Sequence, residues 1–298
     1  MENNSRTYLQ PSTVAQLANI ELKARLIVEG FITGLHRSPY HGFSVEFAEH
    51  RQYQPGDDLR YMDWKLVGRA DRYYVKQFEE ETNLRAMIAV DASASMKFAS
   101  AGNISKFQYA SYLAAALAYL MIKQQDAVGL TLYDNEIRSY LPSRSKRSYI
   151  QEILKTLEYA VPSGKTGTAV ALNLLAERIS RRGLVIILSD FFDEQESIIT
   201  ALKHFRHKGH EVIVMQILDP RERDFDFGWD ATFKDLETGE EMVTQPYQIR
   251  KSYADAMKNY CDTLKRECLQ RGIEYVLLDV SQPFDTALRE YLGKRTRM

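Results

Sequence analysis

From Leu84 onward the chain alternates short, near-continuous apolar runs with amphipathic stretches, and that alternation admits few folds. Leu84–Asp91, Ala127–Tyr133 (AVGLTLY), Leu184–Ser189 (LVIILS), Glu211–Leu218 (EVIVMQIL) and Ile273–Val280 read as strands. Between and after them, helical spacing is present over Lys106–Lys123, Ser148–Tyr159, Ala169–Arg181, Ser197–Lys208, Arg250–Arg271 and Pro283–Leu292. A strand that is apolar on both faces needs cover on both faces, which is the condition of a parallel sheet. The pattern therefore predicts an α/β fold, a doubly wound, mostly parallel, Rossmann-like sheet with helices on either side. Ile137–Leu141 is expected as a short edge strand returning through an Asp134-Asn135 turn.

Two regions depart from this rhythm. Residues 220–249 carry Ala231–Val243 (ATFKDLETGEEMV), which reads as a hairpin turning at Glu237–Glu240 and inserted into one connection. Residues 1–83 read as a smaller N-terminal α+β module, with a helix over Thr13–Phe31 and strand-like alternation at Phe43, Val45 and Phe47 and again at Tyr73 and Val75. Residues 84–298 then form the α/β domain.

A chain of 298 residues with 45% hydrophobic and 27% charged residues has ample core material and is an ordinary globular sequence. Its formal net charge of -1 gives no global reason to expect nucleic acid. The longest apolar run, Tyr109–Ile122, is shorter than the roughly 20 residues a membrane span needs. A helix buried beside the sheet accounts for it. Cys261 and Cys268 fall on one helix about 10 Å apart along its axis, too far for a mutual disulfide. With no secretion signal, a reducing cytoplasm is the expected compartment.

The chemistry concentrates at Asp91-Ala92-Ser93-Ala94-Ser95, directly after the first apolar strand. In an open α/β sheet, ligands bind where strands end. One carboxylate and two hydroxyls there are hard oxygen donors that suit Mg²⁺, with Mn²⁺ as an alternative. Thr166, in Ser163-Gly164-Lys165-Thr166-Gly167-Thr168, and Asp190, closing LVIILS, also end elements. Singly each reads as a helix cap. Jointly, Asp91, Ser93, Ser95, Thr166 and Asp190 converge on one crevice if the sheet is doubly wound.

Other patterns carry less. Gly164-Lys165-Thr166 resembles the tail of a phosphate loop, but the glycine needed five residues earlier is Tyr159. His204, His207 and His210 read as a solvated helix end, with Gly209 ending the helix. Arg138, Arg144, Lys146 and Arg147 read as a solvated loop and helix start. The run Tyr53–Lys65, followed by Arg69, interleaves acids and bases around Trp64, and reads as an ion-pair network holding the N-terminal module or as a partner surface anchored by Trp64 and Arg60.

The segment His41–Arg60, together with Asp63-Trp64-Lys65 and Arg69, resembles the signature of the bacterial domain-of-unknown-function family numbered 58, and the α/β part is similar to von Willebrand factor type A domains. The resemblance implies a metal-ion-dependent adhesion site. Asp91, Ser93 and Ser95 match its Asp-x-Ser-x-Ser element, Thr166 its second-loop threonine, and Asp190 the aspartate after the fourth strand. That second loop usually reads Gly-Gly-Thr. Here Lys165 replaces the second glycine, and either Thr166 or Thr168 faces the metal. Members of the family commonly accompany MoxR-type AAA ATPases, so the resemblance also implies such a partner.

Together these features lead us to expect a non-enzymatic interaction protein whose Mg²⁺ binds an Asp or Glu of a protein partner. The rival is a Mg²⁺-dependent phosphotransferase with Asp91 as nucleophile. It is weakened by Ser93, which stands where haloacid dehalogenase-type enzymes place an acid.

Overall fold

The structure is a computed structural model and describes residues 10–36, 50–52, 74–76, 84–228, 231–234, 236 and 240–296. The chain divides into two units, one holding residues 1–37 and 84–298 and the other residues 38–83. In the smaller unit, β1 (His50–Gln52) pairs antiparallel with β2 (Tyr74–Lys76), Arg51 opposite Val75. The remainder of the segment that resembles the family signature, including Arg60 and Trp64, lies outside the described residues, as do Phe43, Val45, Phe47 and Tyr73.

The larger unit is built on a six-stranded sheet. Its strands are β3 (Arg85–Asp91), β4 (Ala127–Tyr133), β5 (Ile137–Arg144), β6 (Leu184–Ser189), β7 (Glu211–Leu218) and β10 (Glu274–Asp279), in the order β10-β7-β6-β3-β4-β5. All neighbours run parallel except β5, which returns antiparallel along β4. The chain leaves β3 toward β4 and β5, then crosses back to β6 on the other side. The strand order therefore reverses between β3 and β6, and the crevice of a doubly wound sheet opens at such a point.

Helices cover both faces, as the two-sided apolar strands require. One face carries α2 (Ile20–His36), α3 (Lys106–Lys123), α4 (Ile150–Tyr159) and α9 (Asp285–Thr296). The other carries α5 (Thr168–Arg178), α6 (Gln195–His207) and α8 (Pro246–Leu269). α3 starts at a capping box, the Ser105 hydroxyl accepting from the Gln108 amide while the Gln108 side chain accepts from the Ser105 amide. Its Ala-rich run is buried on nearly every side. Among the described residues no helix is long and apolar enough to cross a membrane.

The larger unit takes in more of the N-terminus than the sequence suggests. Residues 13–31 do not form one helix: α1 (Pro11–Ala15) ends, and α2 restarts after Asn19, whose side chain accepts from the Leu22 amide at 2.8 Å. Ile20, Ala24, Ile27, Val28 and Phe31 lie on one side of α2 and join the core around α3. Helical periodicity shows that such a face is apolar but not which partner it covers. The expected hairpin is present as β8 (Ala231–Lys234) antiparallel to β9 (Glu241–Thr244), after a short helix α7 (Pro220–Asp224). Cys261 and Cys268 are buried free thiols on α8.

Candidate metal site

Asp91 ends β3 and is fully buried. Its Oδ1 accepts from the Ser93 amide at 2.9 Å, and its Oδ2 accepts from the Ser189 hydroxyl at 2.6 Å and from the Thr168 hydroxyl at 3.4 Å. The next turn is a 3₁₀ segment, Ala94–Lys97, which folds Ser93 and Ser95 to the same side so that their hydroxyls lie 3.0 Å apart. Among the described residues no Lys, Arg or His is paired with Asp91. Burial raises its carboxyl to about 6, and the nearby charge of Asp190 adds to the effect against the hydrogen bonds of Ser189 and Ser93.

The loop before α5 docks on this turn by main-chain bonds. The Ser163 amide donates to Ala92 O at 2.8 Å and the Ala94 amide to Gly164 O at 3.2 Å. Gly164 has φ +81°, and a Cβ there would lie 2.6 Å from Asp134 Oδ2, so both the backbone angle and the space call for glycine. Arg138 holds the loop from β5, donating to Asp134 Oδ2, to Ser163 O and, at 3.2 Å, to Val161 O. The basic cluster expected to be solvated thus contributes a strut, because β5 brings Arg138 against a loop 25 residues further on. Arg144 stacks on Tyr149, its guanidinium 5.1 Å from the ring.

Asp190 follows β6 on the other side of the switch point. It does not cap α6, whose N-cap is Glu194. Its Oδ1 accepts from the Phe192 amide at 3.1 Å and its main-chain oxygen from Gln216 Nε2 at 2.9 Å. Its Oδ2 is 2.7 Å from the ammonium of Lys106, which is equally close to Glu222 Oε1. Both Lys106 and Asp190 are fully buried. Burial pulls the Lys106 ammonium down, but Asp190 and Glu222 outweigh it and hold it above its usual value. Burial lifts the Glu222 carboxyl, and Lys106 offsets this only in part. Phe191 sits at φ +59°, a strained position for a bulky residue, and Tyr260 Oη donates to its carbonyl at 2.5 Å.

The structure therefore brings Asp91, Ser93 and Ser95 together and puts Asp190 in the same crevice with an ammonium already on it. Thr168, fully buried, reaches Asp91, while Thr166 lies two residues earlier and half-buried on the loop. Ser189, Lys106, Glu222 and Tyr133 also belong to the site. The Tyr133 hydroxyl is buried beside Ser189, and burial, followed by the charge of Asp91, pushes its ionisation well up against the Ser189 interaction. A buried carboxylate without a counter-cation among the described residues and two adjacent hydroxyls make an oxygen-rich environment that fits a hard divalent cation.

The histidines are placed elsewhere. His204 pairs with Glu177 at 2.8 Å and approaches Asn173 at 3.2 Å. His210, expected in a solvated turn, is buried, with Nδ1 unpartnered among the described residues. Among those residues no cluster of three or more His, Cys, Asp or Glu could hold a metal.

A family model described as a protein of unknown function, DUF58, matches residues 49–263. An uncharacterized protein of Mycobacterium bovis, Mb1516, is 31% identical over 250 residues, 82% of this chain and 76% of that protein. Among solved structures, the conserved hypothetical protein BatB from Bacteroides thetaiotaomicron is similar with a TM-score of 0.49 and 18% identity, covering 72% of this chain and 100% of that one. The SpRpn10 VWA domain gives a TM-score of 0.36 and 12% identity, covering 70% and 94%.

Proposed function

The chain belongs to the DUF58 family, and from that premise we propose that it is a non-enzymatic protein-interaction module in which a divalent cation at Asp91 binds a carboxylate of a protein partner. The observation that carries this reading is the state of Asp91: fully buried, bonded only to hydroxyls and an amide, and next to the paired Ser93 and Ser95 hydroxyls. Mg²⁺ would be held by Asp91, Ser93 and Ser95, with Thr166 or Thr168 and Asp190 completing the shell directly or through water. These groups leave the ion electrophilic. An incoming Asp or Glu would neutralise it, which a neutral ligand cannot do. The partner class we favour is a MoxR-type AAA ATPase or a protein that it acts upon.

The test is calorimetric titration of the full chain with Mn²⁺ and Mg²⁺, alongside Asp91→Asn. Saturable one-site binding that the variant loses supports the reading, and equal binding by both proteins removes it. A purified MoxR-type ATPase should then bind with Mg²⁺ present and dissociate in EDTA. Turnover of phosphate esters dependent on Asp91 would instead support the phosphotransferase reading.

A further inference from the structure

Lys106 opens α3, a position from which lysine side chains ordinarily reach solvent. Here the side chain is fully buried, and its ammonium has carboxylate oxygens of Asp190 and Glu222 both at 2.7 Å. The ring of Phe192 closes over it at 4.8 Å. The two acids come from different strand ends, Asp190 after β6 and Glu222 from α7 after β7. A second link runs parallel to this one: Asp219 Oδ2, at the N-cap of α7, accepts from both the amide and the hydroxyl of Ser100 at 2.9 Å.

Buried ion pairs of this kind contribute little net stability compared with apolar side chains of the same volume. Their effect on a neighbouring charge is larger. Asp91, Asp190 and Glu222 bring three carboxylates to the crevice, and the single ammonium of Lys106 is shared at short range by Asp190 and Glu222.

Resting on the metal reading above, we propose that Lys106 is a tethered cation that sets the divalent-ion affinity of the site by competing for Asp190. It acts through that carboxylate and so is a positioning residue. An ion entering beside Asp91 finds the Asp190 carboxylate already engaged by the ammonium. It is held loosely, and it keeps more of its attraction for a carboxylate supplied from outside.

The experiment is Mn²⁺ titration of the full chain as wild type, Lys106→Met, Lys106→Arg and the double variant Lys106→Met with Glu222→Leu. The double variant removes the acid that the first substitution would leave unpaired, and circular dichroism establishes that each protein is folded. Freeing Asp190 should tighten the Mn²⁺ dissociation constant in both folded methionine variants, about tenfold or more in Lys106→Met and by less in the double variant, whose total charge equals that of wild type, while Lys106→Arg stays near wild type. The Mn²⁺-induced rise in melting temperature should grow in parallel. Unchanged or weaker binding in the folded double variant overturns the inference while the metal reading survives. Absence of Mn²⁺ binding in all four proteins overturns both.

Discussion

Lys106 Nζ and Asp190 Oδ2 lie 2.7 Å apart, both fully buried, although 84 residues separate them in the chain. Breaking such a pair from one side leaves an uncompensated charge in a medium that cannot solvate it. Lys106→Met alone should therefore cost about 3–5 kcal/mol in chemical denaturation, and adding Glu222→Leu should recover part of that loss.

Asp91 gives the opposite sign. Its carboxylate is buried and has no basic partner among the described residues, so in EDTA Asp91→Asn should melt at a higher temperature than wild type. In excess Mn²⁺ the order should reverse, because only the wild type gains from the ion. Differential scanning calorimetry under both conditions reads the crossing.

Asp91→Ala is a different experiment. The Asp91 carboxylate serves the fold as well as the crevice. The Ser93 amide and the Ser189 hydroxyl both donate to it, and the alanine would strand them. A cost of about 1–3 kcal/mol is expected, measured by denaturant titration of the metal-free protein.

Arg138 ties the second loop to β5. Arg138→Met should raise hydrogen exchange at the Ala94 amide, which bonds to Gly164 O, while the strands of the sheet keep their protection. Protection at Ala94 equal to that of wild type would mean that the loop holds itself in place.

Burial holds His210 below its ordinary value, helped by the charges of Lys208 and Arg182 and opposed by the Gly183 backbone. The unfolded chain, titrating near 6.5, then binds the proton more readily than the native state. The stability contributed by neutral His210 is present above about pH 6.5 and is lost as the pH falls below it. The slope of unfolding free energy between pH 5 and 6.5 should flatten in His210→Gln.

The strands were legible because each is apolar on both sides: Leu184–Ser189 and Glu211–Leu218 are found with the bounds their composition predicts. Asp91, Ser93 and Ser95 were legible as a group because they are close in sequence. Lys106 was not, since a lysine opening a helix reads as a solvated cation and only the order β6-β3 brings Asp190 over it. Ser189 was hidden for a related reason: in LVIILS it reads as the last residue of a strand, and its bond to Asp91 exists only across that same strand pair. Thr166 lies on the loop and Thr168 two positions later at the first residue of α5, and periodicity carries no information on which of them turns inward.

The antiparallel return of β5 also decides what the sheet presents at that border. An unpaired strand edge is a template for another chain, and proteins blunt it with proline, charge and irregular pairing. β5 has all three: Pro142, which lacks an amide to donate, the partly exposed arginines Arg138 and Arg144, and register shifts against β4. The strand whose arginine braces the second loop of the crevice thus also carries features that disfavour the addition of another strand.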